Sequence, residues 1–388
     1  MTSGGFGETS FALTEERSLS RAGNGLSSGS QFLGAPRARP PERSGAWGPA
    51  SDGVGGAAGA KPPGSNMKLG LYSITYLGVW YRGRSLTLEE LIGRAREYGY
   101  DGVEIDGKRP HGNPIDMPRR RCEEIQRKAQ DAGIEVYAVA ANNDFSSPVP
   151  EHRESQLIYV RDLIRMTADL GVNTLRVFAA WPGLTITPEG GRYTKARQVW
   201  RDAHLDTPAE QTWAWCRDGL IEAAGWAGDA GVTLALQNHA PVTNSPEDML
   251  RMIGEVDSPH LKACLDAPLA AKQGVTSMQD AAREVAGLQV LSHFGGEYER
   301  AGDGSVRGLV RNPDETLTPE NYYLDFALGM QEIGYDGYIG YELCHAIPDV
   351  NGIPVGLDFA DLNARLAAEY MRGILKEAAK SAVVRSSA

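Results

Sequence analysis

The chain has 388 residues, of which 41% are hydrophobic and 23% charged, enough for one large core or two ordinary ones. Its formal charge of −11 opposes binding to nucleic acid or to an anionic membrane surface, since both select for clustered Lys and Arg. No apolar run approaches the roughly 20 residues that span a bilayer, so a soluble protein acting on small molecules is expected.

Residues 1–66 are rich in Gly, Ser, Pro and Ala, as in GGFGETS and GVGGAAGAKPPGSN, and cannot build a core. They lack the charged start and apolar segment of a secretory signal. A disordered tail, or an upstream translation start, is expected there, because Met67 opens the strand-like MKLGLYSI.

From Met67 onward one pattern recurs: a helix-period segment ends in Gly, and a short β-rich run follows. It reads EYGYDGVEI, DAGIEVYAV, DLGVNTLRV, DAGVTLAL, EVAGLQVL and EIGYDGYIGYEL. Gly99, Gly133, Gly171, Gly231, Gly287 and Gly334 stand where a helix end needs a left-handed residue. Strands at 68–74 and 261–268 bring the total to eight, with helices over 86–98, 151–170, 207–230 and 357–379. Eight alternating units predict an α/β (β/α)8 TIM barrel over residues 67–380. The competing doubly wound sheet lacks a GxGxxG after the first strand. The cysteines (Cys122, Cys216, Cys264 and Cys344) form no CxxC and read as reduced core residues, which points to the cytoplasm.

In such a barrel the chemistry sits at the C-terminal ends of the strands. Strand 2 ends with Glu104 and Asp106, strand 3 with Asn142, Asn143 and Asp144, and strand 4 carries Arg176 and Trp181. Strand 5 ends in Gln237 and His239, strand 6 in Asp266, strand 7 in His293 and Glu297, and strand 8 in Glu342 and His345. Each has a bland reading. Asp266 suits a turn, His293 a hydrogen-bonded core histidine, and Arg176 a salt bridge to Glu104. Register argues for more, because Gln237, Asp266, His293 and Glu342 end successive strands. Their O, O, N and O donors suit one divalent ion such as Mn²⁺, Mg²⁺, Co²⁺ or Zn²⁺.

With these strand endings the sequence resembles the xylose isomerase-like barrel superfamily, within it the sugar epimerases and isomerases of the tagatose 3-epimerase and hydroxypyruvate isomerase type. The resemblance covers about residues 67–380. It implies a metal held by Glu, Asp, His and Glu; Asp266, His293 and Glu342 match, while Gln237 stands where the first Glu is expected. In the two-base epimerases the first and last glutamates also exchange protons with opposite faces of the substrate carbon. Gln237 has an amide oxygen for a metal but cannot take up a proton, and the formal ligand charge falls from −3 to −2.

The expected activity is therefore metal-assisted proton abstraction next to a sugar carbonyl by one base, isomerase chemistry ahead of lyase chemistry. Glu342, His239 and Glu297 are the candidate acids and bases. Arg176, Glu104, Asn142, Trp181, His345 and Arg300 are the candidate substrate contacts, Arg300 for a phosphate or carboxylate. The partner is a small carbohydrate, with a homo-oligomer or partner subunit as a further expectation. The alternatives are a lyase cleaving an oxidised glycoside, a barrel that binds sugar without turnover, and an endonuclease IV-like phosphodiesterase with several ions.

Overall fold

The computed structural model describes residues 67–386 except 188, 189, 313–315, 346 and 348–354. The expected tail, residues 1–66, lies outside the described residues. The chain begins with β1 (Lys68–Tyr72), a single 3-10 turn at Ser73–Tyr76 and α1 (Leu88–Tyr98). It continues through β2 (Gly102–Asp106), α2 (Arg119–Ala132), β3 (Glu135–Ala140), α3 (Pro150–Asp169) and β4 (Thr174–Val177). A hairpin of β5 (Thr185–Thr187) and β6 (Gly190–Arg192) follows, then α4 (Tyr193–Ala203) and α5 (Ala209–Ala230). Next come β7 (Thr233–Gln237), α6 (Pro246–Val256), β8 (Leu261–Cys264), α7 (Ala267–Lys272), α8 (Met278–Glu284) and β9 (Ser292–Gly295). A small antiparallel sheet of β10 (Glu297–Arg300), β11 (Val306–Arg311) and β12 (Leu317–Pro319) precedes α9 (Tyr323–Glu332), β13 (Tyr338–Glu342) and α10 (Leu357–Ser386).

Eight strands pair in parallel in the order β8-β7-β4-β3-β2-β1-β13-β9. The ring closes through backbone bonds from Ala263 N–H to the Leu288 carbonyl at 2.9 Å and from Val290 N–H to the Ala263 carbonyl at 3.0 Å. This is the expected (β/α)8 barrel, with helices covering its outer face. Its strands are buried on both faces, which is why they read as near-continuous apolar runs rather than alternating ones. All six helix-ending glycines take φ between 69° and 76°, the region where a Cβ is penalised. At Gly99 this lets the N–H reach back to the Ala95 and Arg96 carbonyls and stop α1.

The N-terminal floor of the barrel is filled by Tyr137, stacked on Tyr338 with ring centres 3.9 Å apart. A Cβ at Gly70 would lie 2.2 Å from the Tyr137 hydroxyl, so the missing side chain there makes room for the ring. The four cysteines are free, and Cys122, Cys216 and Cys264 are buried. Among the described residues no helix is long and apolar enough to cross a membrane.

Candidate active site

Strand alternation sets the roles at the end of β7. Gln237 and Asn238 are both buried, and they serve different neighbours. The Asn238 side chain accepts from Asp266 N–H at 2.8 Å and donates to Gln273 Oε1 at 2.8 Å, tying the start and end of α7 to β7. Asp266 is the N-cap of that helix, and its Oδ1 accepts from Leu269 N–H at 2.9 Å. Its position is thus fixed by a capping bond that satisfies an orphan helix donor.

Gln237 turns into the barrel mouth. Its Oε1 accepts from the Arg176 guanidinium at 2.8 Å, and its Nε2 donates to Asp266 Oδ2 at 2.7 Å. Arg176 also donates to Glu104 Oε1 at 3.3 Å and to the Tyr72 hydroxyl at 2.7 Å, and Tyr72 donates on to Asp106 Oδ2 at 3.1 Å. The guanidinium is 3% exposed, so its charge requires these partners. It fixes the direction of the Gln237 amide, because turning the amide over would set NH₂ against a cationic donor.

His293 is fully buried, with Nε2 2.8 Å from Glu104 Oε2 and Nδ1 3.6 Å from Asp266 Oδ2. Burial pulls its pKa down, but the Glu104 carboxylate more than compensates and holds it well above the ordinary histidine range. Asp266 is pushed up to about 6, first by burial and then by the nearby Glu342 charge. Glu342, at the end of β13, is half-buried, with Cys344 Sγ 3.2 Å from its Oε1.

These groups form or border a cavity of about 310 Å³ lined by Tyr72, Arg176, Phe178, Trp181, Gln237, His239, Glu342, His345 and others. The His239 ring meets Phe178 and Trp181 edge-on, each with centres 4.9 Å apart. Its Nδ1–H donates to the Ala240 carbonyl at 2.5 Å, which leaves Nε2 as an acceptor. Burial, reinforced by the charges of Arg176, Arg197 and Lys272, lowers its pKa to about 3. At neutral pH His239 is therefore the neutral imidazole, with its one ring proton on Nδ1. A neighbouring cleft of about 600 Å³ shares Asn142 and Trp181 with this cavity. Asn142 donates to Asp106 Oδ1 at 2.6 Å.

Three expected contacts lie elsewhere. Glu104 is buried behind His293 and orients it, and it is not among the cavity-lining residues. Glu297 is also off the cavity, with its Oε1 taken by Arg311 at 2.6 Å and His345 Nε2 at 3.1 Å. Burial pushes its carboxyl up, but His345 and Arg311 bring it below the ordinary range, so it favours the bound carboxylate over a free base. Arg300 is exposed on β10 and pairs with Glu369 at 2.6 Å, well satisfied without any substrate anion. Tyr72, Phe178, Tyr193, Arg197 and Lys272, none of them expected from the sequence, line the cavity as well.

A divalent ion is the cofactor that this donor set raises. Among the described residues no group of three or more His, Cys, Asp or Glu side chains is placed to hold a metal ion as they stand. Asp266 and His293 nonetheless lie side by side, and Glu342 is near enough for its charge to raise the Asp266 carboxyl. His293 has Nε2 held by a carboxylate and Nδ1 directed at Asp266, the arrangement that orients a histidine ligand. The repulsion between the Asp266 and Glu342 carboxylates is what a cation relieves. Gln237 does not fit as the fourth ligand, because Arg176 holds its oxygen and its NH₂ faces Asp266.

A family model described as a xylose isomerase-like TIM barrel matches residues 92–369. The chain is 23% identical over 327 residues to fructoselysine 3-epimerase from Shigella flexneri, covering 80% of this chain and 99% of that protein. Among solved structures it is similar to L-ribulose 3-epimerase, with a TM-score of 0.59 and 18% identity over 82% of this chain and 98% of that one. It is likewise similar to D-psicose 3-epimerase in the presence of D-fructose, with a TM-score of 0.58 and 18% identity over 80% of this chain and 99% of that one.

Proposed function

The chain belongs to the xylose isomerase-like TIM barrel family, and from that premise we propose that it is a sugar isomerase or epimerase that removes a proton next to a sugar carbonyl with divalent-metal assistance. Its relatives by sequence and fold carry the names of 3-epimerases, which supports the reaction class. Asp266, His293 and Glu342 are the residues that would hold the ion. When bound, it would polarise the carbonyl and the adjacent hydroxyl and so acidify the C–H bond between reaction centres.

The observation that carries the finer reading is the Arg176–Gln237 hydrogen bond at 2.8 Å. It leaves Gln237 as a donor to Asp266, with no capacity to accept a proton from carbon. Glu342 is then the carboxylate that takes the proton, on one face of the sugar. It returns that proton to the neighbouring carbon through an enediol while the hydroxyl proton passes to the former carbonyl oxygen, which converts an aldose to a ketose without a second base at carbon. His239 Nε2 accepts from a substrate hydroxyl and steers it, and Trp181 and Phe178 provide an apolar wall for the sugar's C–H face.

Incubating keto- and aldo-sugars with added Mn²⁺, Mg²⁺ or Co²⁺ and identifying the products tests this reading. Aldose–ketose interconversion supports it. Clean C3 inversion without isomerisation would contradict the one-base reading, because inversion needs a second base on the opposite face.

A further inference from the structure

Two cations stand at the rim of the same cavity without a carboxylate partner there. Arg197 projects from α4 and Lys272 ends α7, and both line the cavity. Among the described residues neither has a carboxylate within salt-bridge range or a hydrogen-bond partner. Both are exposed, in a chain with 50 acidic and 39 basic residues.

Arg197 is not loose. Its guanidinium lies over the Tyr193 ring, 5.6 Å from its centre, and the Tyr193 hydroxyl donates to the Cys344 carbonyl at 2.5 Å. The charged head is therefore held against a ring that itself lines the cavity and is tied to the chain just after β13. Lys272 is carried by the short helix whose N-cap is Asp266, so its position follows from the catalytic end itself. The two charges also reach His239, whose proton affinity they help to lower.

The cavity thus has the Glu342 carboxylate on its lining, with Asp266 buried behind it, and two cations without a carboxylate partner on the same lining. We infer that Arg197 and Lys272 bind an anionic substituent, a phosphate or a carboxylate, at the end of the sugar remote from the reacting carbon. The rest of the sugar spans the distance between the two ends, so the charge selects orientation as well as substrate. This rests on the proposed sugar chemistry for the meaning of the reacting end, and the binding of the anion stands apart from it.

The full-length protein is titrated calorimetrically with inorganic phosphate and, separately, with acetate, alongside an Arg197→Gln/Lys272→Gln double variant. Solvent deuterium exchange into D-fructose, D-fructose 6-phosphate and D-fructuronate is measured in parallel. At least one anion is expected to bind the wild type and to lose about 10-fold or more in affinity in the double variant. Phosphate as the tighter ligand assigns a phosphomonoester, and acetate a carboxylate. The corresponding charged sugar then shows a lower KM than D-fructose in the wild type only. Absence of binding by both anions, or binding unchanged in the double variant, overturns the inference. Exchange into D-fructose with no anion binding would leave the proposed reaction standing and remove the anion site. Anion binding that depends on both cations, with no exchange into any sugar, would do the reverse. Both side chains are exposed, and an unchanged circular dichroism spectrum of the double variant confirms that the fold is kept.

Discussion

The Arg176 guanidinium donates to Gln237 Oε1 at 2.8 Å, and that bond fixes which way the Gln237 amide faces at the end of strand β7. A glutamate in place of Gln237 would accept from the same arginine with one oxygen and keep the other for a cation. The amide instead presents NH₂ to Asp266. The arginine and the amide are therefore one functional unit, set on adjacent strands β4 and β7.

Gln237→Glu should raise affinity for Mn²⁺ by about 10-fold or more, since it restores a third carboxylate to the donor set and frees a lone pair that Arg176 does not claim. Isothermal titration with Mn²⁺ checks this without reference to turnover. Equal or weaker binding would show that the amide oxygen already ligates, contrary to its present orientation.

Arg176→Met should cost about 3 kcal/mol or more of stability, because it leaves Glu104 buried with only His293 as a cationic partner and strips the Gln237 oxygen of its donor. Urea denaturation measures the loss. Adding Glu104→Gln to that variant should recover part of it, because the uncompensated charge is removed. No recovery would mean that the loss comes from packing against Tyr72 and Phe178.

His239 makes a prediction with a definite sign. In the unfolded chain a histidine titrates near about 6.5, whereas in the folded protein His239 is lowered to about 3, chiefly by burial. Between these values the unfolded chain binds a proton that the folded chain does not, so stability is lost as pH falls from about 6.5 towards 3. His239→Asn should flatten that part of the stability–pH curve. A slope unchanged by the substitution would place the acid sensitivity in other groups.

The barrel was legible because its signals are local and repeated. Gly99 and Gly231 end helices where left-handed backbone is needed, and the apolar runs before Asp106, Gln237 and Glu342 are strands buried on both faces. The strand-end positions of Asp266, His293 and Glu342 were legible because strand ends share one rim. Arg197 and Lys272 were not, because they sit on helices inserted beyond the strand ends, where no period marks them. Arg300 misled for a related reason. Its loop folds into the antiparallel β10–β11 pair, which carries Arg300 outward to Glu369, and strand-end logic does not extend to such an excursion. The direction of the Gln237 amide depends on Arg176, 61 residues earlier, and only the folded chain brings the two together.

The central claim, that a single carboxylate moves the proton and Gln237 does not, is tested most directly by solvent deuterium exchange into a turned-over sugar. Wild type and Gln237→Ala are predicted to incorporate deuterium at the carbon next to the carbonyl, the variant at a reduced rate, while Glu342→Gln loses incorporation by about 10²-fold or more. Exchange that persists in Glu342→Gln, or that vanishes equally in both variants, would contradict the account.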